Sequence, residues 1–228
     1  MIVFDPVYFV YIAPALILGL WAQFRVRSSY AEARQVAASL SGAAAARHIL
    51  DSAGLDNVGI EAIPGELSDH YDPREKVLRL SHEVYQSRSL AAVGIAAHEA
   101  GHAIQDAQAY APLVIRNAAV PAASLGSNAS FLLIFLGLVF QPLAILVYIG
   151  IALFACVVFF QIVNLPVEFN ASARAKAQLA QLGIVSPDEM VYVNRVLGAA
   201  AWTYVAGTLQ AVMILLYYLM RFGGQRDE

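Results

Sequence analysis

Charged residues and cysteine are both scarce in this sequence, and each scarcity excludes a class of protein. Only 14% of the 228 residues are charged and 59% are hydrophobic, whereas soluble domains carry about a quarter charged residues, so a wholly soluble globule is excluded. The 14 basic and 17 acidic residues give a net charge of -3. The chain therefore lacks the basic surface of a nucleic-acid-binding protein, and we expect no nucleic-acid partner. The single cysteine, Cys156, allows no internal disulfide and no cysteine-rich zinc knuckle, so a metal would be held by histidines and carboxylates.

Long apolar runs take the place of charge. Four of them, over residues 7–24, 118–140, 143–163 and 196–220, are long enough to cross a lipid bilayer as helices. Gln141 and Pro142 alone separate the middle two, which predicts an antiparallel membrane hairpin. No Lys or Arg precedes the first run, which is the wrong charge pattern for a cleaved signal peptide.

The basic residues near the ends of these runs predict the orientation of the chain. Two fall on one side, Arg221 and Arg226, and seven on the other, namely Arg25, Arg27, Arg34, Arg116, Arg174, Lys176 and Arg195. By the positive-inside rule we expect a multi-pass protein of the plasma membrane with its N-terminus outside. The polar stretches 25–117 and 164–195 are then cytoplasmic.

The first polar stretch predicts a small α+β region. A helix is expected over 30–50, ended by Gly54, and a second helix over 90–109. Two short strands, 58–63 and 76–81, flank the turn-forming residues 64–73, and we expect the second to be an edge strand. The predicted fold class is therefore a mainly α membrane protein with four transmembrane helices and a small α+β domain. The whole chain, 1–228, is expected to be a single functional unit.

The second of these helices contains the strongest signal in the chain, His98-Glu99-Ala100-Gly101-His102. This matches the H-E-x-x-H pattern, in which histidines four residues apart project from one helix face and can bind one Zn²⁺. Glu99, between them, would act as general base for a zinc-activated water. The alternative is a pair of core histidines hydrogen-bonded to backbone. The uncharged flanks make that alternative weaker, because unpaired ionisable groups are costly to bury.

A catalytic zinc needs a third protein ligand. Positions 105 and 108 hold glutamines, which excludes a third histidine on the same helix. The remaining carboxylates are Asp106, Glu168, Asp188, Glu189, Asp227 and Glu228, unless His48, His70 or His82 folds back. Asp106 is expected to be solvated, residues 186–189 read as a helix cap, and the C-terminal pair is expected across the membrane. Glu168 remains, where the third membrane segment returns to the cytoplasmic side.

With these residues in view, the chain closely resembles the YugP-like family of neutral zinc metallopeptidases of bacterial membranes. The resemblance covers nearly the whole length and is carried by residues 42–50, 69–74, 76–81, the helix through Gln105, and 165–171. It implies a zinc-dependent endopeptidase of the gluzincin type, more distantly similar to HtpX and the CAAX-type prenyl proteases. Carried over by position, His98, His102 and Glu168 correspond to zinc ligands and Glu99 to the catalytic base.

The chain departs from the family pattern beside the third ligand. Ser172 stands where the wider group tends to have an Asp that orients a zinc histidine, and Asn170 stands where the closer family favours Asp. A hydroxyl or an amide can still accept a ring N–H, but it raises ligand basicity less than a carboxylate would. We therefore expect Ser172 and Asn170 to support the zinc histidines.

Further residues have weaker signals. His70 and Tyr71, in the turn before the expected edge strand, could donate to a tetrahedral oxyanion, or they could pack within the turn. Leu78, Arg79 and Leu80 on that strand could bind substrate by pairing with its extended backbone. His48 and His82 are expected to be surface or packing residues, and Arg195 a membrane anchor.

Together these features predict a membrane-anchored endopeptidase with one Zn²⁺ per chain. It would cut peptides or membrane-protein segments near the cytoplasmic face of the lipid bilayer. The alternative is a non-hydrolytic zinc-binding adaptor or chaperone-like protein, which would not need Glu99. An intramembrane protease is disfavoured, because Arg88, Gln105, Asp106 and Gln108 flank the motif where about 20 apolar residues would be required.

Overall fold

The structure is a computed structural model that describes residues 5–66 and 68–223. Among these, the elements in chain order are α1 (Pro6–Arg34), α2 (Gly42–Ser52), β1 (Gly59–Ile63), β2 (His70–Asp72), β3 (Val77–Ser81), α3 (His82–Gln86), α4 (Leu90–Ala107), α5 (Ala111–Val139), α6 (Ile145–Gln181) and α7 (Met190–Gly223). The expected class is confirmed at this level, because the protein is mainly helical with a small three-stranded sheet. Arg226, Asp227 and Glu228 lie outside the described residues.

Four helices are long and apolar enough to cross a membrane: α1, α5, α6 and α7. This confirms the four predicted spans, although each helix is longer than its apolar run. The largest extension is in α6, which continues through Pro166 to Gln181. A short 3₁₀ turn, Gln141–Leu143, separates α5 from α6 where the hairpin turn was predicted.

The predicted helix over 30–50 is wrong, because the chain breaks between α1 and α2. Residues 35–41 are not helical, and Ala37 forms a bridge with Ser89. The Ala38 N–H donates to the Arg88 carbonyl and the Leu90 N–H to the Val36 carbonyl. These long-range backbone bonds hold the segment out of the helix. A new helix then starts where the Ser41 hydroxyl accepts from the Ala44 N–H at 3.3 Å.

The sheet has the order β1-β3-β2, with β1 parallel and β2 antiparallel to β3. Strands β1 and β3 lie within one residue of the predicted ones, but β2 lies in the stretch predicted as a turn. The prediction that 76–81 is an edge strand is wrong, because β3 is the central strand. Asp69 holds the start of β2 against the end of β3 by accepting from the Ser81 N–H at 2.7 Å and from its hydroxyl at 3.1 Å.

The chain forms two compact units. The first contains the described residues of Met1–Trp21, Val114–Leu165 and Trp202–Glu228, and the second contains Ala22–Leu113 and Pro166–Ala201. A small apolar cluster in the first unit joins α1, α6 and α7 through Ile12, Phe154, Val158, Ala211 and Ile214. The larger core of the second unit packs α4 against α2, β3 and the last turns of α6. Every residue of the candidate site lies in the second unit.

Candidate metal centre

Helix α4 presents the two histidines of the H-E-x-x-H sequence. It begins where the Ser89 hydroxyl accepts from the Ala92 N–H at 3.3 Å, and its small apolar residues are almost all buried. One helical turn apart, the rings of His98 and His102 lie with their centroids 4.7 Å apart and nearly perpendicular. The helix therefore supplies two imidazole nitrogens on one face, as its spacing predicts.

Helix α6 brings Glu168 to the same place. Its Oε2 lies 3.2 Å from Nε2 of His98 and 3.7 Å from Nε2 of His102. Potential ligand atoms of these three residues all lie within 4.8 Å of one another, and among the described residues no other group of three meets this test. The structure thus brings together the three residues predicted as metal ligands.

Glycine makes this approach of α4 to α6 possible. A Cβ atom at Gly101 would lie 2.6 Å from the Ala171 carbonyl oxygen, a distance that real Cβ atoms essentially never show. Gly101 stands directly before His102, and Ala171 lies between Glu168 and Ser172 on the facing helix turn. Only a residue without a side chain allows the two ligand-bearing helices to be this close.

Each histidine is held by its second ring nitrogen. Nδ1 of His98 lies 3.1 Å from the Ser172 hydroxyl, and Nδ1 of His102 lies 3.0 Å from Oε1 of Gln105. Outer partners of this kind fix the ring orientation of metal-binding histidines. Both Nε2 atoms are left facing Glu168.

Gln105 was not identified as a residue that supports a metal ligand from the sequence. Its spacing of three residues from His102 was an available signal, since residues three apart share a helix face. Asn170, which was expected to support a zinc histidine, does so only indirectly. Its Oδ1 accepts from Nε2 of Gln105 at 2.9 Å and from Nε of Arg174 at 2.6 Å, so it supports His102 only through Gln105.

The site is electrostatically coupled. Burial by itself would lower the pKa of His102, but the hydrogen bond to Glu168 and the negative charges of Glu99 and Glu168 outweigh it and raise that pKa. Glu99 itself is buried, with 8% of its surface exposed.

His70 and Tyr71 lie on β2 and have partners outside the ligand group. Nδ1 of His70 donates to the Ser68 carbonyl at 2.7 Å, and the Tyr71 hydroxyl donates to Oδ2 of Asp106 at 2.9 Å. Burial, strengthened by this bond to a carboxylate, raises the pKa of Tyr71. An oxyanion role for Tyr71 would require it to give up the bond to Asp106.

The places of Leu78, Arg79 and Leu80 on β3 argue against the substrate-binding role expected for them. Both leucines are fully buried. The Arg79 guanidinium forms ion pairs with Asp72 at 2.8 Å and with Glu75. Because β3 pairs with β1 along its whole length and with β2 over Val77–Arg79, its backbone there is not free to pair with a substrate.

Two of the other carboxylates considered as ligands, Asp106 and Glu189, have structural uses. Asp106 accepts from Tyr71 and lies 3.5 Å from the Lys76 ammonium group. Glu189 accepts from the Ser186 N–H at 2.8 Å, in the capping arrangement that its sequence predicts. These contacts leave Glu168 as the carboxylate that faces the histidines.

Comparison with known proteins bears directly on this geometry. Residues 8–223 match the family described as "Putative neutral zinc metallopeptidase". The chain belongs to this family. It is 45% identical over 216 residues to "Putative membrane protease YugP" of Bacillus subtilis (strain 168), which covers 94% of this chain and 96% of the relative. No solved structure matches the chain.

Family membership agrees with the side chains at the candidate site. Two imidazoles and one carboxylate are among the ligand sets of catalytic zinc, which takes three protein ligands. The zinc that the family implies therefore fits His98, His102 and Glu168 in ligand type, number and mutual distance. Four apolar helices and a membrane relative agree on a membrane protein.

Proposed function

We propose that this protein is a membrane-anchored, zinc-dependent endopeptidase of the gluzincin type and acts as a single functional unit. His98, His102 and Glu168 would hold one Zn²⁺ per chain, and Glu99 would be the general base. The observation that carries the proposal is the convergence of both Nε2 atoms on Oε2 of Glu168, while both Nδ1 atoms have partners of their own. The family and the relative support a peptidase role.

The chemistry divides between the metal and Glu99. When bound, zinc would supply the Lewis acidity that polarises a peptide carbonyl and makes water nucleophilic. Glu99 would accept the proton from the attacking water and deliver it to the leaving amine. Its burial supports this role, because a carboxylate largely shielded from solvent interacts strongly with a nearby proton donor.

Substitution of Glu99 tests this division. We expect Glu99→Gln to retain about one zinc per chain but to lose turnover of fluorescently labelled casein by about 100-fold or more, as general-base removal does. Metal content by mass spectrometry and the casein cleavage rate, both in detergent, are the measurements. Glu61→Gln, an exposed glutamate on β1 with 58% side-chain exposure, is the matched control and should cleave like the wild type.

Each outcome has a clear meaning. Wild-type turnover in the Glu99→Gln variant would remove Glu99 as base. Zinc binding without any cleavage by the wild type would favour the non-hydrolytic adaptor. If the wild type retains no zinc, even after reconstitution, the zinc site is rejected and His98 and His102 are a pair of core histidines.

We also propose that the metal centre faces the cytoplasm, as the distribution of basic residues predicts. In a Cys156→Ala background, Gln86→Cys and Gln141→Cys place single thiols at two exposed positions predicted on opposite sides of the membrane. A membrane-impermeant maleimide should label the cysteine at 141 in intact cells. The cysteine at 86 should react only after permeabilisation, and the reverse pattern would invert the topology.

A further inference from the structure

A buried amide lies between a candidate metal ligand and the facing helix. Gln105 is fully buried. Its Oε1 accepts from His102, and its Nε2 donates both to the Val167 carbonyl at 2.8 Å and to Oδ1 of Asn170 at 2.9 Å. A buried amide is costly unless it is hydrogen-bonded, and this one uses its oxygen and both of its hydrogens.

The direction of these hydrogen bonds is fixed by groups that can only donate or only accept. Arg174 has donors and no acceptor, so the Asn170 atom that faces its Nε at 2.6 Å must be the oxygen. That oxygen can only accept, and so can the Val167 carbonyl. Both therefore require the NH₂ group of Gln105 to face α6, which turns its oxygen toward His102.

The same hydrogen bonds determine which ring nitrogen of His102 carries the proton. Because Oε1 of Gln105 carries no hydrogen, Nδ1 of His102 must carry the proton at the 3.0 Å contact. A neutral imidazole protonated at Nδ1 has its lone pair on Nε2, which is the atom that faces Glu168. The opposite tautomer would present an N–H where a metal ligand is needed.

We propose that Gln105 is a positioning residue that selects the metal-binding tautomer of His102. In this proposal Val167, Asn170 and Arg174 keep the amide from flipping. The proposal rests on the proposed zinc site. Arg174 is itself held in place, since it donates to Oε1 of Gln108 at 2.6 Å and lies 5.8 Å from the centre of the Tyr110 ring. An amide accepts the ring N–H without adding a negative charge to the buried site.

Zinc affinity, measured by competition with a chromogenic chelator on detergent-purified full-length chain, tests the proposal. We expect Gln105→Met, which keeps the side-chain length but removes both functions, to bind zinc about 10- to 100-fold more weakly, as loss of a partner to a metal-ligating histidine does. The matched control is Gln86→Met, an exposed glutamine on α3 of the same unit. It should bind within about twofold of the wild type, since Gln86 lies outside the hydrogen bonds that connect His102, Gln105, Asn170 and Arg174.

Two further readouts separate positioning from general support of the fold. Gln105→Glu keeps an acceptor for the His102 N–H, so it should bind zinc more tightly than Gln105→Met. Nitrogen NMR of histidine-labelled, zinc-free protein should show His102 protonated at Nδ1 in the wild type and as a tautomer mixture in Gln105→Met. A loss of packing alone would lower the melting temperature without changing the tautomer.

The outcomes are distinct. If the wild type binds zinc and Gln105→Met binds it equally well, the positioning role is overturned while the proposed function stands. If Gln105→Met does not fold, Gln105→Glu decides, and a folded Gln105→Glu with affinity at least 100-fold below wild type would overturn the acceptor role. If the wild type binds no zinc, the proposed function fails first.

Discussion

In both units glycines allow two helices to pack closely, but the side chains around these contacts differ. In the first unit, α5 and α6 meet at Gly126, Gly137 and Gly150, where a Cβ atom would lie 2.4–2.7 Å from backbone atoms of the facing helix. In the second unit, a Cβ atom at Gly101 would likewise lie 2.6 Å from the Ala171 carbonyl oxygen on the facing helix. The difference lies in what surrounds each contact.

Around the α5–α6 contacts the side chains are mostly apolar. The buried Ser130 hydroxyl has no hydrogen-bond partner among the described residues. Around Gly101, by contrast, His102, Gln105, Glu168 and Ser172 are buried. His102 is hydrogen-bonded to Gln105 on α4, and Glu168 and Ser172 on α6 are both hydrogen-bonded to His98 on α4. Close helix approach thus serves packing in the first unit, as expected in a membrane. In the second it positions polar side chains.

The largest expected effect is loss of the third ligand. Glu168→Ala should weaken zinc binding by about 100-fold or more, because it removes one of three ligands and leaves two. Chelator competition measures it. Asp188→Ala, an exposed carboxylate once considered as a ligand, is the control and should bind zinc like the wild type. If the two variants bind alike, the third ligand must be sought elsewhere.

Paired glycine substitutions test the comparison most directly. Gly101→Ala and Gly126→Ala each place a Cβ atom against a carbonyl oxygen, at 2.6 and 2.4 Å. Both should cost about 1–3 kcal/mol of unfolding free energy, as overpacking does. Only Gly101→Ala should also weaken zinc binding, because only that contact lies between α4 and α6, the two helices that carry the candidate ligands. Equal zinc affinities in the two variants would remove the distinction between the units.

Two buried serines give a smaller contrast. Ser172→Ala removes the partner of Nδ1 of His98 and should weaken zinc binding about tenfold. Ser130→Ala removes a buried hydroxyl that lacks a partner among the described residues, so it should leave zinc binding unchanged and stability equal or higher, by up to about 1 kcal/mol. Ser172→Asp should bind zinc more tightly than Ser172→Ala, since a carboxylate raises the basicity of the ligand.

The smallest expected effect concerns Tyr71. The Tyr71 hydroxyl donates a hydrogen bond to Asp106. Tyr71→Phe should therefore lower the free energy of unfolding by about 1 kcal/mol and leave kcat near the wild-type value. Thermal unfolding and casein turnover together measure this. A fall in kcat of about 100-fold at unchanged stability would instead support the predicted oxyanion role.

Patterns within one element were predictable from the sequence, and pairings between elements were not. The four apolar runs and the His98–His102 spacing report on single helices, so they could be read without the fold. Glu168 was reached by eliminating other carboxylates, and the structure brings it to both histidines. The central place of β3 could not be foreseen, because β2 has three residues and lies in a turn-forming stretch whose pairing depends on Asp69 and Ser81. Likewise, nothing local ends a helix at Arg34, since backbone bonds to Arg88 and Leu90 hold the break.

The sequence by itself determined four apolar runs long enough to cross a membrane and two histidines on one helix face. Hydrophobic run length and helical periodicity are local properties, and that is why they sufficed. The tertiary structure alone decided that Gln105, rather than Asn170, contacts His102, and that Gly101 allows α4 to approach α6. Those outcomes depend on which atoms of distant segments come within hydrogen-bonding or van der Waals distance, and only the packed chain specifies this.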